Sequence, residues 1–197
     1  TLCHAIEAYS CQQKNPVSDA YAAAAIGLVR ENLINAVRFG TSQKARASMA
    51  NASFLAGAAF SNSMVGIVHA IGHALGGVCH VPHGDAMNIL LPAGMMYNCR
   101  VCREEYAKLL LYLAGPEVYM KTPKQERAKQ AIREVLRLRR RLHAMTGLPL
   151  TLKEAGADPA MFPQVVKTAL NDGAVIVNPR QVTYDAVMKI LEVSYGN

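Results

Sequence analysis

The chain has 197 residues, 51% of them apolar and 18% charged, and 21 Lys and Arg outweigh 14 Asp and Glu to give a net charge of +7. That composition excludes a disordered or fibrous chain and suits one well-filled core. A single domain over residues 1–197 is expected, since no linker is long enough to divide two.

Leu2-Cys-His-Ala-Ile-Glu7 already reads as helix interior, without a capping residue or an initiator Met, so the chain is expected to be part of a longer polypeptide. Ser18 then precedes an apolar-periodic run through Ile26, Val29, Leu33 and Val37 to Gly40, which predicts a helix of about six turns with a cap at one end and glycine at the other. Lys44 to Phe60 is rich in Ala and Ser and predicts a central helix with close neighbours. Further helical patterns cover Ile67–Leu75, Asp85–Asn98, Glu104–Leu113, Pro123–Met145, Pro159–Leu170 and Tyr184–Val193. Breaks are expected at Asn15-Pro16, Gly76-Gly77, Gly115-Pro116, Gly147 to Pro149, Gly156 to Pro159 and Asn178-Pro179. Nothing reads as a strand, so the fold class is all-α, a multi-helical array with short connections.

The basic excess is local. Lys121 to His143 holds nine Lys or Arg against Glu126 and Glu134, while the remaining chain is balanced. Ala128, Ile132, Val135, Leu136 and Leu142 share one side of that helix and most arginines the other, as on a solvated helix, and no aromatic residue interleaves for base stacking. No nucleic-acid partner is expected. The most apolar region, Phe54 to Val81, is interrupted by Asn62, His69, His73 and His80, which argues against a membrane span. No N-terminal segment reads as a secretory signal, and five scattered cysteines suit reduced thiols, so a cytoplasmic location is expected. Cys99-Arg-Val-Cys102 has metal-knuckle spacing but no second pair, and is read as ordinary helix cysteines.

Four of six histidines crowd into residues 69–84. An unpartnered buried polar group costs about 1 to 3 kcal/mol, so packing alone does not select four of them. His69 and His73, four apart, share a helix face. No glutamate lies between them to serve as the base of a zinc protease. His83, between Pro82 and Gly84, and His4, on an apolar face of the opening helix, can converge with His69 into a tripodal site suited to zinc, iron, nickel or copper.

His4-Ala-Ile-Glu-Ala-Tyr9, Ala56-Gly-Ala-Ala-Phe-Ser-Asn62, Gly66-Ile-Val-His-Ala-Ile-Gly-His-Ala-Leu-Gly-Gly77 and Pro82-His-Gly-Asp-Ala-Met-Asn-Ile-Leu-Leu-Pro92 together resemble the C-terminal helical domain of the iron-containing (group III) alcohol dehydrogenases. The resemblance covers most of the chain. It implies the helical half of a dehydroquinate synthase-like fold and interconversion of alcohols and aldehydes by hydride transfer to NAD(P), with a divalent metal, Fe2+ first and Zn2+ second. The implied ligands are His4, His69 and His83, with His73 near substrate and nicotinamide as the catalytic histidine. A ligand aspartate is implied four residues before His4, one position ahead of Thr1. The family's N-terminal nucleotide-binding domain is expected as the missing partner, and the face left bare can promote homo-oligomers. Alone, the chain is expected to be inactive, to hold metal weakly and to release it as its histidines protonate near their ordinary pKa of about 6.5. Asn62 is expected either to line the substrate cleft or to satisfy a helix end. The alternatives are a zinc enzyme of the glycerol dehydrogenase or dehydroquinate synthase kind and a non-catalytic helical metal-binding module.

Overall fold

Two helices carry apolar residues on nearly every face, and the rest of the molecule is arranged around them. They are α1 (Leu2–Ser10) and α4 (Ile67–Cys79), and every residue of α4 from Ile67 to Leu75 is buried except His73. The computed structural model describes residues 1–196, and all regular structure among them is helical. Around the central pair lie α2 (Pro16–Arg38), α3 (Gln43–Ser63), α5 (His83–Asn98), α6 (Arg103–Ala114), α7 (Pro116–Lys121), α8 (Arg127–Thr146), α9 (Phe162–Leu170) and α10 (Tyr184–Tyr195). Helices α2 and α3 pack along each other and against α1, while α4 packs on α5 and α9, and α5 on α10. The α4–α5 crossing is close because Gly94 presents no side chain: a Cβ there would stand 2.3 Å from Val68 Cγ2.

Four local readings of the sequence are corrected. The cap of α2 is Asn15, not Ser18: its side chain accepts from the Val17 and Ser18 amides, and Ser18 closes the capping box as the third helical residue. Pro16 sits at the first helical position, where its missing N–H is no loss. Helix α3 is peripheral, since only Ala45, Ala52, Ala56, Ala59 and Ser63 are buried and Phe54 is 76% exposed. Small residues let that helix approach its neighbours without placing it at the centre. Helix α4 runs through Gly76-Gly77 and ends at His80, which is in the left-handed region at φ 57°. Burial of Ile67, Ile71 and Leu75 offsets the roughly 1 kcal/mol that each helical glycine costs. Finally, Pro116 opens the short helix α7 where only a break was expected, again at the first helical position.

The basic segment forms α8, which buries Ala128, Ala131, Ile132 and Val135 and leaves Lys129, Arg133 and Arg137 exposed. No single helix among the described residues is long and apolar enough to cross a membrane. The five cysteines are unbridged, and Cys102 is buried with its thiol toward the Ser10 carbonyl.

Candidate metal centre

The site forms where the first turns of α1, α4 and α5 meet. His4 lies on α1, His69 is the third residue of α4, and His83 is the first residue of α5. The structure brings one ring nitrogen from each of the three to within 4.8 Å of the others. Their ring centroids are 4.4 Å apart for His4–His69, 5.7 Å for His69–His83 and 6.2 Å for His4–His83. Nitrogens sharing one ion at about 2.1 Å stand roughly 3 to 4 Å apart, so small ring rotations close the set. His69 is buried, His4 half-buried and His83 exposed, which makes a pocket closed at its base and open on the α5 side.

The start of α4 is held by side chains from distant parts of the chain. Its own N-cap is Gly66, which has no side chain to offer. Asn178 Oδ1 accepts from the Ile67 amide at 3.1 Å, and the Glu7 carboxylate accepts from the Val68 amide at 2.8 Å and the His69 amide at 3.2 Å. Glycine is needed at 66 because a Cβ would lie 2.8 Å from Asn178 Oδ1 and 3.0 Å from Glu7 Oε1. Glu7 also takes His69 Nδ1 at 2.5 Å. The other ring nitrogen, His69 Nε2, is buried and has no hydrogen-bond partner. An orphaned buried nitrogen costs about 1 to 3 kcal/mol, and a metal ion shared with His4 and His83 removes that cost. The donor set therefore fits a divalent ion that accepts imidazole.

Electrostatics favour the neutral imidazole at His4 and His83. Burial, followed by the imidazoles of His69, His83 and His73, lowers the His4 pKa to about 3. Burial and the His69 imidazole also lower His83. The expectation that all three titrate at the ordinary histidine value is therefore corrected for these two. Phe60 stacks on the His4 ring at 4.6 Å between centroids and covers its apolar face.

His73, one turn beyond His69, stands apart from the trio. Its Nδ1 meets Asp172 Oδ2 at 2.8 Å, and its ring lies 5.7 Å from that of His83, half exposed at the mouth of the site. Burial pushes Asp172 up, but the Ala174 amide and His73 outweigh it and hold the carboxyl below its usual value. His80 lies exposed beyond the end of α4 and takes no part.

Cys3, Glu7 and His69 form a second cluster of ligand-type atoms. It offers little to an ion, because Glu7 is spent on amides and on Nδ1, and burial pushes the Cys3 thiol well above its usual range. Cys99 and Cys102 belong to neither group. Asn62 lies exposed at the end of α3, donating to the Ala58 carbonyl and accepting on its own carbonyl from Asn15, so it satisfies a helix end. Glu7, Asp172 and Phe60 were not singled out from the sequence. Only Glu7 had a local signal, standing one helical turn from His4 on an apolar helix.

Comparison with known proteins gives the chain as a whole its relatives. Residues 1–195 match the family described as Fe-containing alcohol dehydrogenase, C-terminal. The chain is 38% identical over 98% of its length to the 1,3-propanediol dehydrogenase of Citrobacter freundii, covering 49% of that protein. It is 34% identical over 98% of its length to alcohol dehydrogenase 4 of Saccharomyces cerevisiae, covering 48% of it. The solved alcohol dehydrogenase of Oenococcus oeni superposes with a TM-score of 0.90 at 33% identity, over 98% of this chain and 49% of that one. The chain thus spans about half the length of the curated relatives it matches.

Proposed function

The chain belongs to the iron-containing alcohol dehydrogenase family, and we propose that it is the metal-holding half of an NAD(P)-dependent enzyme that interconverts small alcohols and aldehydes. His4, His69 and His83 are the proposed ligands of a divalent ion, iron(II) by family resemblance and zinc as the runner-up, and His73 is the proposed proton carrier. The observation that carries this reading is the buried, unpartnered Nε2 of His69 beside His4 and His83. The nucleotide-binding half that presents NAD(P) is proposed to lie in the part of the relatives' length that this chain does not span.

A bound divalent ion supplies Lewis acidity, which polarises the substrate oxygen and eases loss of its hydroxyl proton. The chain's own residues do the rest. His4, His69 and His83 would hold the ion, and Phe60 covers the His4 ring on one face. Asp172 holds His73 by Nδ1, so Nε2 is the nitrogen that takes the substrate proton in oxidation and returns it in reduction. The nicotinamide carries the hydride, and no nucleophilic side chain is required.

The test is an assay of the intact protein for alcohol oxidation with NAD+ and with NADP+. Activity should disappear on chelation, return on reloading with Fe2+ and be absent from His69→Ala. Full turnover by a thoroughly chelated protein, or by His69→Ala, would contradict the proposal.

A further inference from the structure

Glu7 is a carboxylate only 4% exposed, in an apolar helix, with no Lys or Arg among its hydrogen-bond partners. Its partners are the Val68 amide, the His69 amide and His69 Nδ1. Two of these are backbone N–H groups at the positive end of α4, which can only donate, and a helix N-terminus favours a negative charge. A carboxylate committed to accepting from the His69 amide leaves the ring nitrogen beside it one compatible state, Nδ1–H donating. From this geometry we infer that Glu7 is a positioning residue that sets the tautomer of His69, keeping the proton on Nδ1 and the lone pair on buried Nε2, while the same carboxylate anchors α4 to α1.

The inference rests on the metal reading above and extends it. Glu7 stands three residues after His4, so one side chain grips the backbone of one proposed ligand from the helix that carries another, and the His4–His69 spacing follows from that grip. Without the carboxylate the Nε2–H tautomer gains population, and a metal must first displace that proton. Carboxylate–imidazole pairs of this kind orient ligands, and their loss costs about 10- to 100-fold in metal affinity. Asn178 is the natural comparison. It caps the same helix through the Ile67 amide but does not touch the His69 ring.

The experiment uses the intact protein, Zn2+ as probe with a competing chelator, and ring nitrogen shifts from 15N-histidine labelling of the metal-free form. In the unsubstituted protein His69 should carry its proton on Nδ1. Glu7→Gln keeps the side-chain shape but replaces one accepting oxygen with an NH2 group that can only donate, and it should shift His69 toward the Nε2–H tautomer and weaken Zn2+ about 10- to 100-fold. Asn178→Ala should lower the melting temperature and leave Zn2+ affinity within about threefold, below the range for a lost ligand-orienting group. An Nε2–H tautomer in the unsubstituted protein, or equal Zn2+ loss in both variants at equal loss of stability, overturns the inference and leaves Glu7 as a helix cap. If the unsubstituted protein and His83→Ala bind Zn2+ alike, it is the ligand assignment that fails, and the tautomer of His69 still decides the role of Glu7.

Discussion

His73 and Asp172 meet at 2.8 Å across 99 residues of sequence, joining the exposed face of α4 to the turn that follows α9. The pair is placed to hold one imidazole at the mouth of the site while leaving its far nitrogen to exchange a proton. Asp172→Asn, which keeps the shape and removes the charge, should lower kcat for alcohol oxidation about 100-fold, the lower end of what general acid–base catalysis contributes. KM for the alcohol should change little. Steady-state kinetics across pH check this, and an unchanged kcat with a raised KM would assign the pair to substrate binding instead.

Acid should destabilise the metal-free protein through His4. Its pKa is lowered to about 3, chiefly by burial and by the imidazoles of His69, His83 and His73, whereas in the unfolded chain it returns to about 6.5. The unfolded state therefore binds the proton first as pH falls, and stability is lost from about pH 6.5 down toward 3. Melting temperature against pH should show this slope, and His4→Gln should flatten it. Because His83 is lowered in the same direction, some slope should remain in that variant.

The α4–α5 crossing should be intolerant of a methyl group. Gly94→Ala puts a Cβ 2.3 Å from the stiff, β-branched Val68, so a loss of about 1 to 3 kcal/mol is expected on denaturant unfolding. Since the clash is with Val68 itself, Gly94→Ala combined with Val68→Ala should cost less than the sum of the two single changes. Strict additivity would place the strain elsewhere.

Most of the helices were legible in the sequence because their apolar periodicity is long and their caps are local. Two of the four misread features show why local signals failed. Gly76-Gly77 reads as a stop, but burial of Ile71 and Leu75 carries the helix through it. The alanines of residues 44–60 read as a centre, but they serve only one face of α3. At the site, His4, His69 and His83 stood out as imidazoles among apolar residues and through family motifs. The side chains that hold His73 and the start of α4 did not, because Asp172 and Asn178 lie 99 and 111 residues from the positions they serve. No spacing rule reaches that far, and tertiary packing alone brings them in.

The ligand shell of the bound metal in the intact protein is the measurement that bears most directly on the proposed centre. X-ray absorption on Zn2+-loaded protein should show imidazole nitrogens at about 2.1 Å, three from this chain, with one fewer in His83→Ala and release of the ion in His69→Ala. A shell that is unchanged in both variants, or one containing sulfur at about 2.3 Å as a Cys3 ligand would give, would contradict the assignment of His4, His69 and His83.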